Sequence, residues 1–450
     1  METFAAEPTR LIISAVAAIV VLLVLIMKFK LQPLLAIIIS AAVIGVGSGM
    51  PFPLIVDTVN KGIGETLKGI ALLIGIGSMF GAILEISGGA QKIANTLVGK
   101  FGESKAAWAL GITGIVIATP VFFDAGLIIL IPLAFSIAKK TGKSTMYYVI
   151  PLAAGLAVGH AFIPPTPGPV LVANMLGVDI GIVILVGLLC GTIAMILAGP
   201  VFGRYCGKKY NIPVPESVST ELNIDESKMP KFATVVTIIC IPLILIVLNT
   251  VSGVVAPNWS IRPVLNFLGT PFVALTIATI VAMVILGLRH GYSLTELEKI
   301  MSSSLAPTGM IMLVTAGGGV LRYMLQDSGL GNIIGEAVGA TPLPYVLVAF
   351  LVAGLIRISV GSATVAMTMA AGVMAAMPEV AMLSPLHLAA MTCAIAGGAT
   401  ICSHFNDSGF WLVKSLIHID EKTTLKTWTI METIVGCTGA GVALLISLFV

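Results

Sequence analysis

Four short stretches set ionisable or hydrogen-bonding side chains inside long apolar runs. At membrane depth such groups are costly, and they mark ion and substrate pathways. The first, Thr119-Pro120-Val121-Phe122-Phe123-Asp124-Ala125-Gly126, places Asp124 within the apolar run 107–138. A carboxyl so placed could bind and release a proton, or it could cap the helix that restarts after Pro120. The second runs His160-Ala161-Phe162-Ile163-Pro164-Pro165-Thr166-Pro167-Gly168-Pro169. Its prolines remove backbone donors and cannot stay helical, so freed carbonyls need a protein- or water-lined cavity. His160 could titrate, donate to an anion, or simply pack. The third, Arg357-Ile358-Ser359-Val360-Gly361-Ser362-Ala363-Thr364, carries a guanidinium able to hold a carboxylate by two parallel hydrogen bonds. Gly361 permits a tight turn, and N–H groups of a helix starting near Ser362 can face an anion. Alternatively Arg357 snorkels or pairs with a structural carboxylate, and Ser362 and Thr364 pack helices closely. The fourth, Ser403-His404-Phe405-Asn406-Asp407-Ser408, offers an amide, hydroxyls and an imidazole suited to a polyhydroxylated ligand. Asp407 could take a proton, cap a half-helix or pair with a cation. The other reading of this stretch is a solvated loop with Trp411 in the interfacial belt.

These stretches belong to a repeat. Residues 73–97 align with 314–338, placing Gly77 on Gly318, Leu84 on Leu325, Ser87 on Ser328, Gly88 on Gly329 and Ile93 on Ile334. His160 and His404, and Asp124 and Gly361, are separated by nearly the same interval. With 57% hydrophobic and 10% charged residues, the chain cannot cover a water-facing surface; soluble domains carry roughly 25% charged residues. Apolar segments near 11–27, 31–48, 67–85, 182–203, 232–252, 270–288, 306–325 and 428–449 suit single crossings. Segments 107–138 and 343–378 read as hairpins, and 147–177 and 385–417 as helices unwound midway. The run 11–27 has no cleavage pattern and reads as a retained first span. Lys28, Lys30, Lys92, Lys100, Lys105, Lys139, Lys140, Lys143 and the cluster Arg204–Lys231 can all face the cytoplasm if the N-terminus is outside and the first hairpin enters from the cytoplasmic side. Counting onward, the second half enters with opposite orientation. The expected fold is an all-α polytopic membrane protein of about 12–14 segments. It consists of two inverted repeats, each with a re-entrant or paired hairpin and a broken transmembrane helix. Residues 1–203 form the first repeat, 204–231 a cytoplasmic linker and 232–450 the second repeat. Arg322, Gln326 and Asp327 with Glu85 read as structural, and Lys414 and Glu432 as interfacial.

The net charge of +3 is spread thinly, so nothing points to nucleic acid. Cys190, Cys206, Cys240, Cys393, Cys402 and Cys437 are scattered without a CxxC pair, which suggests packing rather than a zinc site or disulfide framework. No metal set such as HExxH is present, and no cofactor is expected. Two-repeat chains of this kind are transporters that move one half against the other around a midplane site. An intramembrane enzyme would need a nucleophile and base, for which Ser403-His404 is weak evidence. A channel would need a repeated pore ring.

HAFIPPTPGP (160–169), RISVGSATVAM (357–367), SHFNDSGFWLVK (403–414) and TLKTWTIMETI (424–434) resemble the bacterial gluconate permease family over essentially the whole chain. The family commonly reads Pro-Pro-His-Pro where Thr166 stands here, and often Glu at Asp124. The resemblance implies a proton-coupled secondary transporter of the bacterial inner membrane that carries gluconate or a related sugar acid. D-serine is the substrate of one branch, and sodium coupling is the alternative to protons. It implies membership of a larger group of carboxylate transporters that often form homodimers. On this reading Arg357 and the N–H groups around Ser362 take the substrate carboxylate, and Ser362, Thr364 and His160 also contact the substrate. Asn406, Ser408, Thr166 and Ser403 bind its hydroxyls, and Asp124, Asp407 or His404 carries the proton.

Overall fold

Proline and glycine place the helix ends. Pro8, Pro33, Pro167, Pro271 and Pro385 each begin a helix, where the missing N–H has no intrahelical partner to lose. The computed structural model describes residues 7–215, 229–330, 332, 333, 336, 343–405 and 407–450. Residues 216–228 of the 204–231 linker and Ile334 of the repeat lie outside the described residues. Among those described, every regular element is helical, and eight helices are long and apolar enough to cross a membrane.

The first half runs α1 (Pro8–Leu23), α2 (Pro33–Ser48), α3 (Phe52–Ile86) and α4 (Gly89–Phe101). A hairpin follows, of α5 (Ala106–Ala118) and α6 (Phe123–Thr141), then a broken helix of α7 (Met146–Phe162) and α8 (Pro167–Leu176). It closes with α9 (Ile180–Ile196), carried by a π turn into α10 (Phe202–Lys209). The second half repeats the order: α11 (Phe232–Val255), the short α12 (Arg262–Leu268), α13 (Pro271–Ala282) and α14 (Leu294–Asp327). Its hairpin is α15 (Tyr345–Val360) and α16 (Ala363–Ala375), followed by the short α17 (Pro378–Ala381). Its broken helix is α18 (Pro385–Gly398) and α19 (Ser408–Ile417), and α20 (Glu421–Thr424) leads by a π turn into α21 (Ile430–Ser447). The 13-residue α5 and α16 each extend only about 20 Å, short of the ~30 Å hydrocarbon core. Their hairpins therefore dip partway and return. The long helices exceed the expected spans 67–85 and 306–325 at both ends. A Ser293/Glu296 capping box lets α14 start well before its apolar stretch.

The equivalent helices α3 and α14 pack against each other antiparallel. Thr58 Oγ1 donates to Asp327 Oδ2 at 3.0 Å, whereas twenty residues on Ser78 Oγ donates to the Ser304 carbonyl at 2.7 Å. Midway, Gly62 lies so close that a Cβ there would sit 2.6 Å from Val320 Cα. Numbers rise along one helix as they fall along the other, which makes the repeat inverted. Across this pair α2 packs on α14 and α13 on α3, and in each half the first hairpin arm packs on the broken helix. The broken helices and hairpins share the main buried core, while α1 and α2 build a second apolar cluster with α14.

Gly155 makes one of the closest backbone contacts, since a Cβ on it would lie 2.1 Å from the Gly111 carbonyl oxygen. Gly155→Val is expected to destabilise the protein by about 3 kcal/mol or to prevent folding. The check is the monodisperse fraction and Tm in detergent against Gly99→Ala, where a Cβ meets nothing within 4 Å. Equal Tm values for the two variants would contradict the close α5–α7 packing.

Candidate functional site

Helix interruptions in both halves converge on one cavity of about 650 Å³. Asp124, His160, Arg357, Ser362, Thr364, Asp407, Ser408 and Glu432 all line it. The α5–α6 connection brings in Asp124, exposed to the cavity in the first turn of α6. Phe122, not Asp124, is the N-cap, so the capping alternative is not the one adopted. The negative charge still sits favourably at a helix N-terminus. In the second hairpin Gly361 takes φ 82°, a conformation that excludes side chains, and Ser362 caps α16 by accepting from Val365 N at 3.4 Å.

Arg357 is 3% exposed and anchors the site. Its guanidinium donates to the Gly361 carbonyl and forms an ion pair with Asp407. Asp407 is also the N-cap of α19, accepting from Gly409 N at 3.1 Å, and it accepts from the Ser403 hydroxyl. One carboxylate thus ties the second hairpin to the second helix break.

Ser403 and Thr166, expected at the substrate, and His404, expected to carry the proton, do not line this cavity. Ser403 is buried behind Asp407; its hydroxyl donates to that carboxylate and accepts from Trp428 Nε1 at 2.7 Å. It positions Asp407 instead of meeting a ligand. Thr166 is 4% exposed and donates to the Ile163 carbonyl at 2.7 Å, closing the Pro-rich turn on itself. It faces a separate chamber of about 20 Å³, room for about one water. His404 reaches the Ile358 carbonyl through Nε2 at 3.1 Å, locking the second break to the second hairpin. Asn406 lies outside the described residues. His160 borders both the large cavity and the small chamber, with its buried Nδ1 lacking a hydrogen-bond partner.

Glu432 corrects the expectation of an interfacial residue. It is 5% exposed, it lines the cavity, and its buried Oε1 has no hydrogen-bond partner among the described residues. A signal was present in the sequence: Trp428 and Glu432 stand four apart, hence on one helical face. Trp428 lines the same cavity, 5.3 Å from the Phe123 ring of the first hairpin. Lys414 pairs with Glu421 at 2.9 Å, away from this lining. The cavity therefore collects three carboxyls against one guanidinium. Among the described residues no group of three or more His, Cys, Asp or Glu side chains could hold a metal.

Inverted repeats, paired hairpins, two interrupted helices and a shared polar cavity define a multi-pass membrane transporter. Two solved structures share this fold: the Alcanivorax borkumensis YdaH transporter, with TM-score 0.62, 18% identity and coverage of 88% of this chain and 87% of that one, and Neisseria gonorrhoeae MtrF, with TM-score 0.63, 16% identity and coverage of 86% and 82%. The family described as GntP family permease matches residues 10–449, and the chain belongs to it. Among curated relatives, the low-affinity gluconate transporter of Escherichia coli is 38% identical over 436 residues, covering 97% of this chain and 98% of that protein. The Gnt-II system L-idonate transporter of the same organism is 36% identical, covering 94% and 96%. The gluconate permease of Pseudomonas aeruginosa is 36% identical, covering 97% and 98%. The protein is accordingly a multi-pass component of the bacterial inner membrane.

Proposed function

We infer that this permease takes up gluconate or a closely related sugar acid together with protons. The observation that carries the reading is the Arg357–Asp407 pair at the wall of a cavity that also holds Asp124 and Glu432. A substrate carboxylate entering this space joins three protein carboxyls around a single guanidinium. In a low-dielectric site that surplus of negative charge is opposed by several kcal/mol unless protons enter with the anion. Proton entry then favours substrate binding, and substrate binding favours proton entry, by the same factor.

Arg357 and the N–H groups at the start of α16 take the carboxylate. Ser362, Thr364, Ser408 and Asn406 meet the hydroxyls, with His160 on the opposite wall. Asp407 or Asp124 accepts the proton, and Glu432 joins them as a candidate because its buried oxygen has no other partner. His404, bonded to a backbone carbonyl, serves as a brace between the hairpin and the break. Residues 1–203 and 232–450 form the two repeats that move relative to each other, with 204–231 as the cytoplasmic linker. Two such chains associate as a homodimer.

Uptake into proteoliposomes tests the reading. With an alkaline lumen and a gradient of one pH unit, one-to-one symport accumulates labelled gluconate about tenfold, since each unit supplies about 1.4 kcal/mol. Competition with fructuronate, glycerate and D-serine ranks the substrates. Accumulation that follows a sodium gradient and ignores a collapsed pH gradient would replace protons by sodium. Preference for D-serine over gluconate would replace the substrate.

A further inference from the structure

A second polar cavity, of about 150 Å³, opens between α3, α8 and α14. Glu65, Thr66, Asn174, Arg322 and Tyr323 contribute its polar wall. Arg322 has no carboxylate partner among the described residues; its Nε is buried without a hydrogen bond, and its guanidinium rests on the Tyr323 ring at 5.3 Å. The neighbouring charges are already matched. Lys61 pairs with Asp327 at 3.6 Å, and Glu65 with Lys68 at 3.5 Å. A guanidinium left unpaired within a bilayer costs several kcal/mol unless an anion or water answers it. Here the wall also supplies a side-chain amide and a hydroxyl, the groups that bond a hydroxylated carboxylate.

The position of this cavity gives it a role. Gly372 of α16 abuts Arg322, its added Cβ lying 3.5 Å from Arg322 Cβ. From the tip of that hairpin to Gly372 is about 14 Å along the helix axis. Tyr292, just before the other end of α14, donates to the Ile86 carbonyl near the lysines of α4, the face that the positive-inside rule assigns to the cytoplasm. Arg322 therefore lies on the side away from that face, outward of the central cavity and between the long helices and the broken helix α8.

We propose that Arg322, Asn174 and Thr66 form a second anion site that captures a hydroxylated carboxylate from the external side before it passes to Arg357. This rests on the sugar-acid reading of the central cavity. Equilibrium binding of labelled gluconate to the full-length protein in phosphatidylcholine nanodiscs tests it. Wild type is expected to bind two gluconates per chain. Arg322→Gln and the cavity-filling Asn174→Leu each bind one, and uptake by both shows a KM raised about tenfold with kcat retained. A single gluconate per wild-type chain, or two in both variants, overturns the proposal while leaving the central site intact. Loss of the second gluconate when phosphatidylglycerol is added assigns Arg322 to a lipid phosphate and overturns it as well. Absence of all gluconate binding overturns the substrate reading and this proposal together.

Discussion

Arg357→Gln is expected to lower gluconate uptake at least about 100-fold and to abolish measurable binding at the central site. Two charge-assisted bonds to a carboxylate, each worth about 1.5–3 kcal/mol, disappear together. The substitution also strips Asp407 of its buried partner. Removing one side of such a pair costs about 3–5 kcal/mol because the remaining charge is uncompensated. A variant that fails to fold would therefore say nothing about binding, so Arg357→Gln is paired with Arg357→Gln/Asp407→Asn. The double variant removes both charges, and its Tm is expected to recover towards wild type while binding at the central site stays absent. Arg357→Lys keeps the charge but presents a point donor that cannot serve the Gly361 carbonyl, Asp407 and a ligand in one plane. It is expected to fold and to bind weakly. Near-normal affinity in the folded double variant would remove Arg357 from the anion site.

Glu432→Gln separates coupling from binding. The amide matches the carboxyl in shape and still hydrogen-bonds, so the wall of the cavity is kept. What it cannot do is gain and lose a proton as the cavity alternates between the two faces. Uptake driven by a pH gradient is expected to fall to simple equilibration, a loss of about tenfold in accumulation per pH unit. Exchange of internal for external gluconate, which needs no net proton movement, is expected to continue. Glu432→Asp restores a titratable group one methylene shorter and is expected to restore part of the accumulation. Full accumulation by Glu432→Gln would return the proton to Asp407 or Asp124, and the same comparison with Asn at each position then distinguishes them.

Much of the architecture was legible because its causes are local or periodic. The apolar runs declare membrane segments, and Pro164, Pro165, Pro167 and Gly361 declare the breaks. Matched intervals between His160 and His404, and between Gly77 and Gly318, reveal the duplication. The inverted orientation also followed, because lysine placement and the crossing count respond to the same bilayer. The contacts of Thr58 with Asp327 and of Ser78 with Ser304 agree with it.

The roles of individual polar residues were less legible. Thr166 and Ser403 looked like ligand groups by type and place. One closes its own turn, and the other supports Asp407 from behind. Glu432 looked interfacial because it stands near the C-terminus. The π turn Leu425–Thr429 and the packing of Trp428 against Phe123 instead set α21 so that Glu432 faces the cavity.

By itself, then, the sequence determined that this is a duplicated, all-helical membrane protein whose polar breaks lie deep in the bilayer, since hydropathy and backbone chemistry act over a few residues at a time. Only the tertiary structure decided that Arg357 is held by Asp407, that Glu432 joins them, and that Arg322 stands beside a cavity of its own with no carboxylate partner among the described residues. Those facts depend on how helices hundreds of residues apart are placed and turned against one another. A change of a few degrees in a helix's facing decides whether a side chain meets the cavity or the packing behind it, and no local pattern records that angle.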